Sequence, residues 1–189
     1  RPALCGHRGR HALARCARRR RLRLTDMDAA SLFTARTYRV VPPRWAHAPL
    51  SGEGARLHGG RFNPPGTPAF YSALDPHTAY AEYTQALYDR PGLLCSFDIE
   101  GATVLDLTMS NGLAAADLTP ADLRQRWFGC SDASSQLTAA RLQAVGIDGL
   151  IYASQQHESG RNLVLWRWNG PPMVKLVDRL GEAVESPLR

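Results

Sequence analysis

Residues 59–66 read Gly59-Gly60-Arg61-Phe62-Asn63-Pro64-Pro65-Gly66, and a tyrosine at Tyr71 and a glutamate at Glu82 follow within a few turns of chain. Glycine lets backbone approach a ligand closely or adopt positive φ. An arginine fork beside it matches phosphate or carboxylate oxygens in bidentate fashion. A strand tyrosine offers a ring to stack on or a hydroxyl to donate. A partly buried helix carboxylate is costly unless it is paired or used. Together these residues supply an anion clamp, a flat surface and a group able to face a developing cation, which points to chemistry on a phosphorylated substrate. Ser154 joins them, because it ends an apolar run and opens the polar loop 155–161, where ligand-holding hydroxyls are common.

Taken singly, each residue has a plainer reading: a turn arginine, a core tyrosine, an exposed helix glutamate, a capping serine. Gly-Gly-Arg is neither a Walker nor a Rossmann glycine pattern. No Ser-His-Asp or Cys-His arrangement and no HExxH zinc motif is evident.

The elements that would position this set are short. Thr37–Val41 reads as a strand stopped by Pro42-Pro43, and 42–68 as a Gly- and Pro-rich loop whose length suggests function or disorder. Ala69–Ser72 reads as a second strand. Asp75-Pro76 is an N-cap followed by a first-turn proline, which predicts a helix to about Tyr88. On that helix Ala79, Glu82, Tyr83 and Ala86 share one side. Leu93–Ile99 and Ala102–Leu107 read as two strands across a turn at Glu100-Gly101. Thr119-Pro120 opens a helix through Trp127. Ser134–Val145 reads as a helix with Leu137, Ala140, Arg141 and Ala144 on one side and Gly146 as its stop. Strands follow at Gly149–Ala153, Asn162–Trp168 and Pro172–Val177. Without a regular βαβ alternation the expected class is α+β.

The net charge of +6 suggests nucleic acid until its distribution is considered. Residues 1–26 hold nine of the 23 basic residues and one of the 17 acidic ones, so 27–189 carry 14 and 16 and stand near −2. Residues 1–26 read as a solvated arm or a start-site extension, with a nucleic-acid arm or an organelle-targeting peptide as the functional alternatives. The rest, 27–189, reads as one domain, and the 44% apolar content of the full chain suffices for a sizeable core. No apolar run is long enough for a membrane helix. Cys5, Cys16, Cys95 and Cys130 form no Cys-x-x-Cys pair, and Cys5, His7, His11 and Cys16 match no common zinc spacing. A reduced, buried Cys95 in a reducing compartment is expected.

The ordered set Tyr38-Arg39, Gly59 to Gly66, Tyr71, Glu82 and Gly149-Leu150-Ile151-Tyr152-Ala153-Ser154 resembles the RES-domain toxins of bacterial toxin–antitoxin pairs over roughly residues 37–178. The family's name-giving Arg, Glu and Ser would fall on Arg61, Glu82 and Ser154. Phe62 stands where Trp is commoner, and residues 1–26 have no counterpart.

The resemblance implies an ADP-ribosyltransferase-like split mixed β-sheet with flanking helices and NAD as substrate in its cleft. The nicotinamide–ribose bond would be broken with phosphate or water as acceptor, or ADP-ribose passed to a protein target. Arg61 would clamp the pyrophosphate with help from Arg39, and Gly59, Gly60 and Asn63 would line the NAD site. Tyr71 would pack on nicotinamide or its ribose, Glu82 would face the ribose cation, and Ser154 would hydrogen-bond the ribose. No metal is needed. The implied partner is a helix-turn-helix antitoxin blocking the site in the cytoplasm, with nucleic acid engaged only through it and no membrane. A basic nucleic-acid-binding protein and a non-enzymatic binding module are the rival classes.

Overall fold

Two long strands organise the molecule. β1 (Ala30–Val41) and β3 (Leu93–Asp106) run antiparallel from Ala30 opposite Leu105 to Val41 opposite Leu93. Thr34 alone faces both Glu100 and Gly101. Gly101 takes φ +71° and donates its N–H to Thr34 Oγ1. Two residues against one, with glycine in the left-handed region, make a β-bulge. The expected turn at Glu100-Gly101 is therefore a bulge, and the two strands predicted around it are one. The same point divides the other edge of β3. Ser96–Glu100 pair antiparallel with β6 (Met173–Val177), whereas Val104–Asp106 pair parallel with β4 (Gly149–Ala153).

The remaining strands are β2 (Phe70–Ala73), β5 (Arg161–Leu165) and β7 (Ala183–Val184), giving the order β1-β2-β5-β4-β3-β6-β7. Because β1 bonds to β3 as well as to β2, the strands β1, β2, β5, β4 and β3 close a circuit. Successive strand residues face opposite ways, and the core is accordingly double. Leu105, Leu150 and Val164 join one apolar cluster with Leu118 and Leu142. Val104, Ile151, Leu163 and Leu165 join the other with Phe70, Phe97 and Trp168. The architecture is a mixed α+β sheet with flanking helices, as the sequence led one to expect. The computed structural model describes residues 28–85, 91–130, 133–170, 173–177 and 183–184. Residues 1–26, with Cys5, Cys16 and the proposed arm, lie outside them, as do Ala86–Tyr88 of the expected second helix and Pro172 of the last expected strand.

Among the described residues five α-helices flank the sheet: α1 (Glu53–His58), α2 (Pro76–Thr84), α3 (Ser110–Ala116), α4 (Pro120–Arg124) and α5 (Ser134–Ala144). α2 starts as expected, with Asp75 accepting from Thr78 N at 2.8 Å, but it ends at Thr84, where Gln85 turns left-handed. α4 opens on a Thr119–Asp122 capping box and stops at Arg124, short of Trp127. α1 and α3 were not legible, since a six- or seven-residue helix shows too little apolar periodicity. No helix among the described residues is long and apolar enough to cross a membrane. Cys95 is buried in β3 as a free thiol, and burial pushes its pKa up.

α5 faces the sheet with a different side from the one its alanines suggest. Leu137, Ala140 and Ala144 are exposed, whereas Ser135, Gln136, Thr138, Ala139 and Leu142 are buried. Ser135 and Gln136 are drawn inward because they have backbone partners to satisfy in the glycine–arginine loop, while Thr138 accepts from Arg141 Nη2.

Candidate functional site

The loop 59–66 is held from every side. Gly59 takes φ 72° with ψ 177°, a conformation available essentially to glycine alone. Gly60 and Asn63 then exchange backbone hydrogen bonds across a tight turn. The carbonyls between receive side chains. Gln136 Nε2 donates to Gly60 O at 2.8 Å and to Asn63 O at 3.1 Å, Ser135 Oγ donates to Arg61 O at 2.6 Å, and Trp166 Nε1 donates to Phe62 O at 3.0 Å. Asn63 is fully buried. Its amide donates to Ala55 O and Thr67 O at 2.8 Å, and its Oδ1 accepts from the Tyr71 hydroxyl at 2.7 Å. The Tyr71 oxygen in turn accepts from Phe62 N at 3.1 Å. Burial pushes the Tyr71 phenol well above its ordinary pKa, so it remains a neutral brace.

The loop thus presents Arg61 from a fixed base. A Cβ at Gly60 would lie 2.5 Å from the Tyr71 hydroxyl and 2.7 Å from Asn63 Oδ1. Gly60→Ala is expected to destabilise the fold by about 1–3 kcal/mol, because the Tyr71–Asn63 contact must open to admit the methyl group. Thermal unfolding of the variant measures this, and an unchanged melting temperature refutes it.

Arg61 projects into a cleft of about 680 Å³ whose lining includes Arg39, Gly59, Gly60, Tyr71, Glu82, Trp127, Tyr152, Gln155 and Asn162. Its Nη1 donates to Leu123 O and, at 3.4 Å, to Gln125 O, and its Nη2 donates to Gln155 Oε1 at 2.8 Å. Arg39 lies over the Phe70 ring, 5.6 Å from its centroid, and donates to Ser51 O at 3.1 Å. Burial lowers the pKa of both guanidiniums, which stay charged in any physiological buffer. Among the described residues no carboxylate lies within ion-pair distance of either. Two half-buried cations without counter-ions in one cleft favour an anionic ligand.

Glu82 stands in the same cleft, half-buried on α2. Its Oε1 accepts from Ser154 Oγ at 2.7 Å and from Asn162 Nδ2 at 2.6 Å. Oε2 has no hydrogen-bond partner among the described residues. Ser154 is fixed behind it, since its Oγ accepts from Gln156 N at 3.1 Å and His157 N at 3.0 Å and so gives its one proton to Glu82. The carboxylate is therefore anchored by one oxygen and open at the other.

The structure brings Arg39, Gly59, Gly60, Arg61, Tyr71 and Glu82 to one cleft and sets Ser154 on Glu82. Asn63 and Ser154 are not among the lining residues. The two glycines are required by the loop's own geometry, and the polar groups of Asn63 and Tyr71 are engaged within it.

Four contributors escaped the sequence reading. Asn162 is the second residue of β5, where an asparagine in an apolar strand is the only signal. Ser135 and Gln136 were hidden by a helix face judged on alanines. Tyr152 alternates with the buried Ile151 and so faces the cleft. It meets Phe62 edge-on at 4.8 Å, and burial holds its phenol far above its ordinary pKa. The Tyr152 hydroxyl has no partner among the described residues, unlike that of Tyr71.

Fold and cleft together define an α+β protein whose mixed sheet and flanking helices carry an Arg–Glu–Ser set. The family model described as RES domain matches residues 36–187, and the chain belongs to that family. No curated protein matches the sequence. Among solved structures it is similar to the M. tuberculosis MbcT–MbcA toxin–antitoxin complex, with a TM-score of 0.65 and 23% identity over 87% of this chain and 92% of that one. At that identity the likeness is one of fold.

Proposed function

We propose that this chain is the toxin of a toxin–antitoxin pair and consumes NAD by cleaving its nicotinamide–ribose bond. One observation carries the reading: a carboxylate tethered by Ser154 and Asn162 through one oxygen, open at the other, in a cleft with two unpaired guanidiniums. Cleavage of the bond leaves an oxocarbenium-like ribose, which a nearby carboxylate stabilises as its charge develops. Glu82 takes that role. Arg61 and Arg39 hold the pyrophosphate, and a cleft of this size suits a cofactor-sized ligand. Tyr71 and Ser154 hold the loop and the carboxylate in register, while Tyr152 offers its free hydroxyl and ring to the ribose–nicotinamide end.

The mixed sheet with its flanking helices supports an ADP-ribosyltransferase-like reading, and the family assignment supports NAD as substrate. The solved structure this chain resembles is of a toxin–antitoxin complex, which supports an antitoxin partner; in our reading that antitoxin covers Arg61 and Glu82, and the pair acts in the cytoplasm. The family resemblance makes that antitoxin a helix-turn-helix protein.

Attack on the ribose C1″ by phosphate releases nicotinamide and leaves ADP-ribose 1″-phosphate. Attack by water leaves ADP-ribose and a proton. Purified protein incubated with NAD, with and without inorganic phosphate, separates these by chromatography of the products. Loss of NAD only with phosphate marks a phosphorylase, and loss without it a glycohydrolase. Label passing from NAD to protein marks an ADP-ribosyltransferase. No NAD loss under any of these conditions, with the protein folded, overturns the proposal.

A further inference from the structure

We propose that His157, which touches no ligand, is a positioning residue that keeps Ser154 aimed at Glu82 through a second tie between the same two segments. The inference rests on the NAD-cleaving reading of the cleft. Thr78 and Glu82 stand one helical turn apart on α2, at the i, i+4 spacing that puts them on one face. Ser154 and His157 stand at the two ends of a turn closed by the His157 N–H on Ser154 Oγ. The helix and the turn are therefore joined by two rungs. The upper rung is the 2.7 Å bond from Ser154 Oγ to Glu82 Oε1, and in the lower one His157 Nδ1 lies 2.9 Å from Thr78 Oγ1.

Proton counting assigns the lower rung. A threonine hydroxyl has one proton, and Thr78 gives it to Asp75 Oδ2 at 2.6 Å. Nδ1 must then carry a proton and donate it to Thr78 Oγ1, which fixes the His157 tautomer. The remaining contacts leave little freedom. Thr78 is fully buried and its N–H is held by Asp75 Oδ1 at 2.8 Å. Gly160 closes over the rung so tightly that a Cβ there would lie 2.3 Å from Thr78 Oγ1 and 3.0 Å from His157 Nδ1.

Neither His157 nor Thr78 lines the cleft, so the lower rung works through the upper one. Without it the turn pivots about Ser154, and the open oxygen of Glu82 loses its fixed direction. A misaimed carboxylate weakens transition-state stabilisation more than ground-state binding, and the loss falls on kcat.

Three substitutions in the full chain test this by steady-state NAD turnover. Asparagine places an amide nitrogen near the Nδ1 position, glutamine reaches only toward Nε2, and leucine donates nothing. His157→Asn is expected to keep kcat within about threefold, and His157→Gln and His157→Leu to lower it about tenfold with KM within about twofold. Equal kcat in all three, an Asn variant no better than Gln, or a loss carried by KM overturns the proposal. Nitrogen-15 shifts of the His157 ring in the wild-type chain give a readout independent of turnover. A protonated Nδ1 and a bare Nε2 in the neutral ring are expected, and the opposite tautomer overturns the rung. Should the wild-type protein leave NAD untouched, the reaction assigned above falls, while the tautomer still decides the rung.

Discussion

The Glu82→Gln protein is expected to fold like the wild type and to consume NAD about a hundred- to a thousandfold more slowly. The substitution isolates charge from shape. Both hydrogen bonds to the wild-type side chain end on Oε1, and an amide oxygen accepts from Ser154 and Asn162 in the same way. What changes is the end facing the cleft, where a neutral amide replaces a negative oxygen. Positive charge on the ribose exists only as the bond breaks, so the loss appears in kcat with KM nearly unchanged. Nicotinamide release under saturating NAD measures it, alongside a thermal unfolding curve. Turnover within threefold of wild type, from a folded variant, removes Glu82 from the mechanism.

Arg61→Ala is expected to lower kcat/KM by about a hundredfold, with the loss divided between binding and turnover. The loop survives the change, because its carbonyls are held by Ser135, Gln136 and Trp166 and not by Arg61. The carbonyls of Leu123 and Gln125 that lose the guanidinium lie in a segment open to water. A stability change within about 1 kcal/mol follows. Binding of ADP-ribose, which keeps the pyrophosphate and lacks nicotinamide, separates the two variants. Its affinity drops in Arg61→Ala and holds in Glu82→Gln. Equal ADP-ribose affinity in Arg61→Ala and wild type removes Arg61 from the pyrophosphate. Arg61→Lys restores little, since an ammonium lacks the planar fork that meets two oxygens at once.

The parts of the fold legible in the sequence were those with local, self-contained signals. Asp75-Pro76 and Thr119-Pro120 fixed two helix starts to the residue. Gly149–Ala153 was an apolar run bounded by turn residues, and its limits match β4. Signals that depend on distant partners were misread. Gly101 looks the same in a turn and in a bulge until Thr34 stands opposite it. The inward face of α5 carries serine and glutamine because the loop 60–63 needs donors there, and hydrophobicity has no means of registering that need.

The site was legible in the same uneven way. Arg61, Tyr71, Glu82 and Ser154 stood out by type and order and meet around one cleft. Their division of labour did not, because it depends on which hydroxyl is already engaged. Tyr71 and Ser154 brace the loop and the carboxylate, while Tyr152 keeps a free phenol.

The closed strand circuit also governs when the protein becomes competent as it is made. β1 and β3 can pair while the later chain is still missing, but the circuit closes only when Phe70 meets Leu165 and Val104 meets Gly149. Such long-range pairing is slow, on a scale of milliseconds to seconds. Ser154 and Asn162, the two anchors of Glu82, arrive with those strands. A nascent or truncated chain that stops before β4 and β5 therefore carries the glutamate without the two anchors that aim it, and the cleft is complete only after those strands join the sheet.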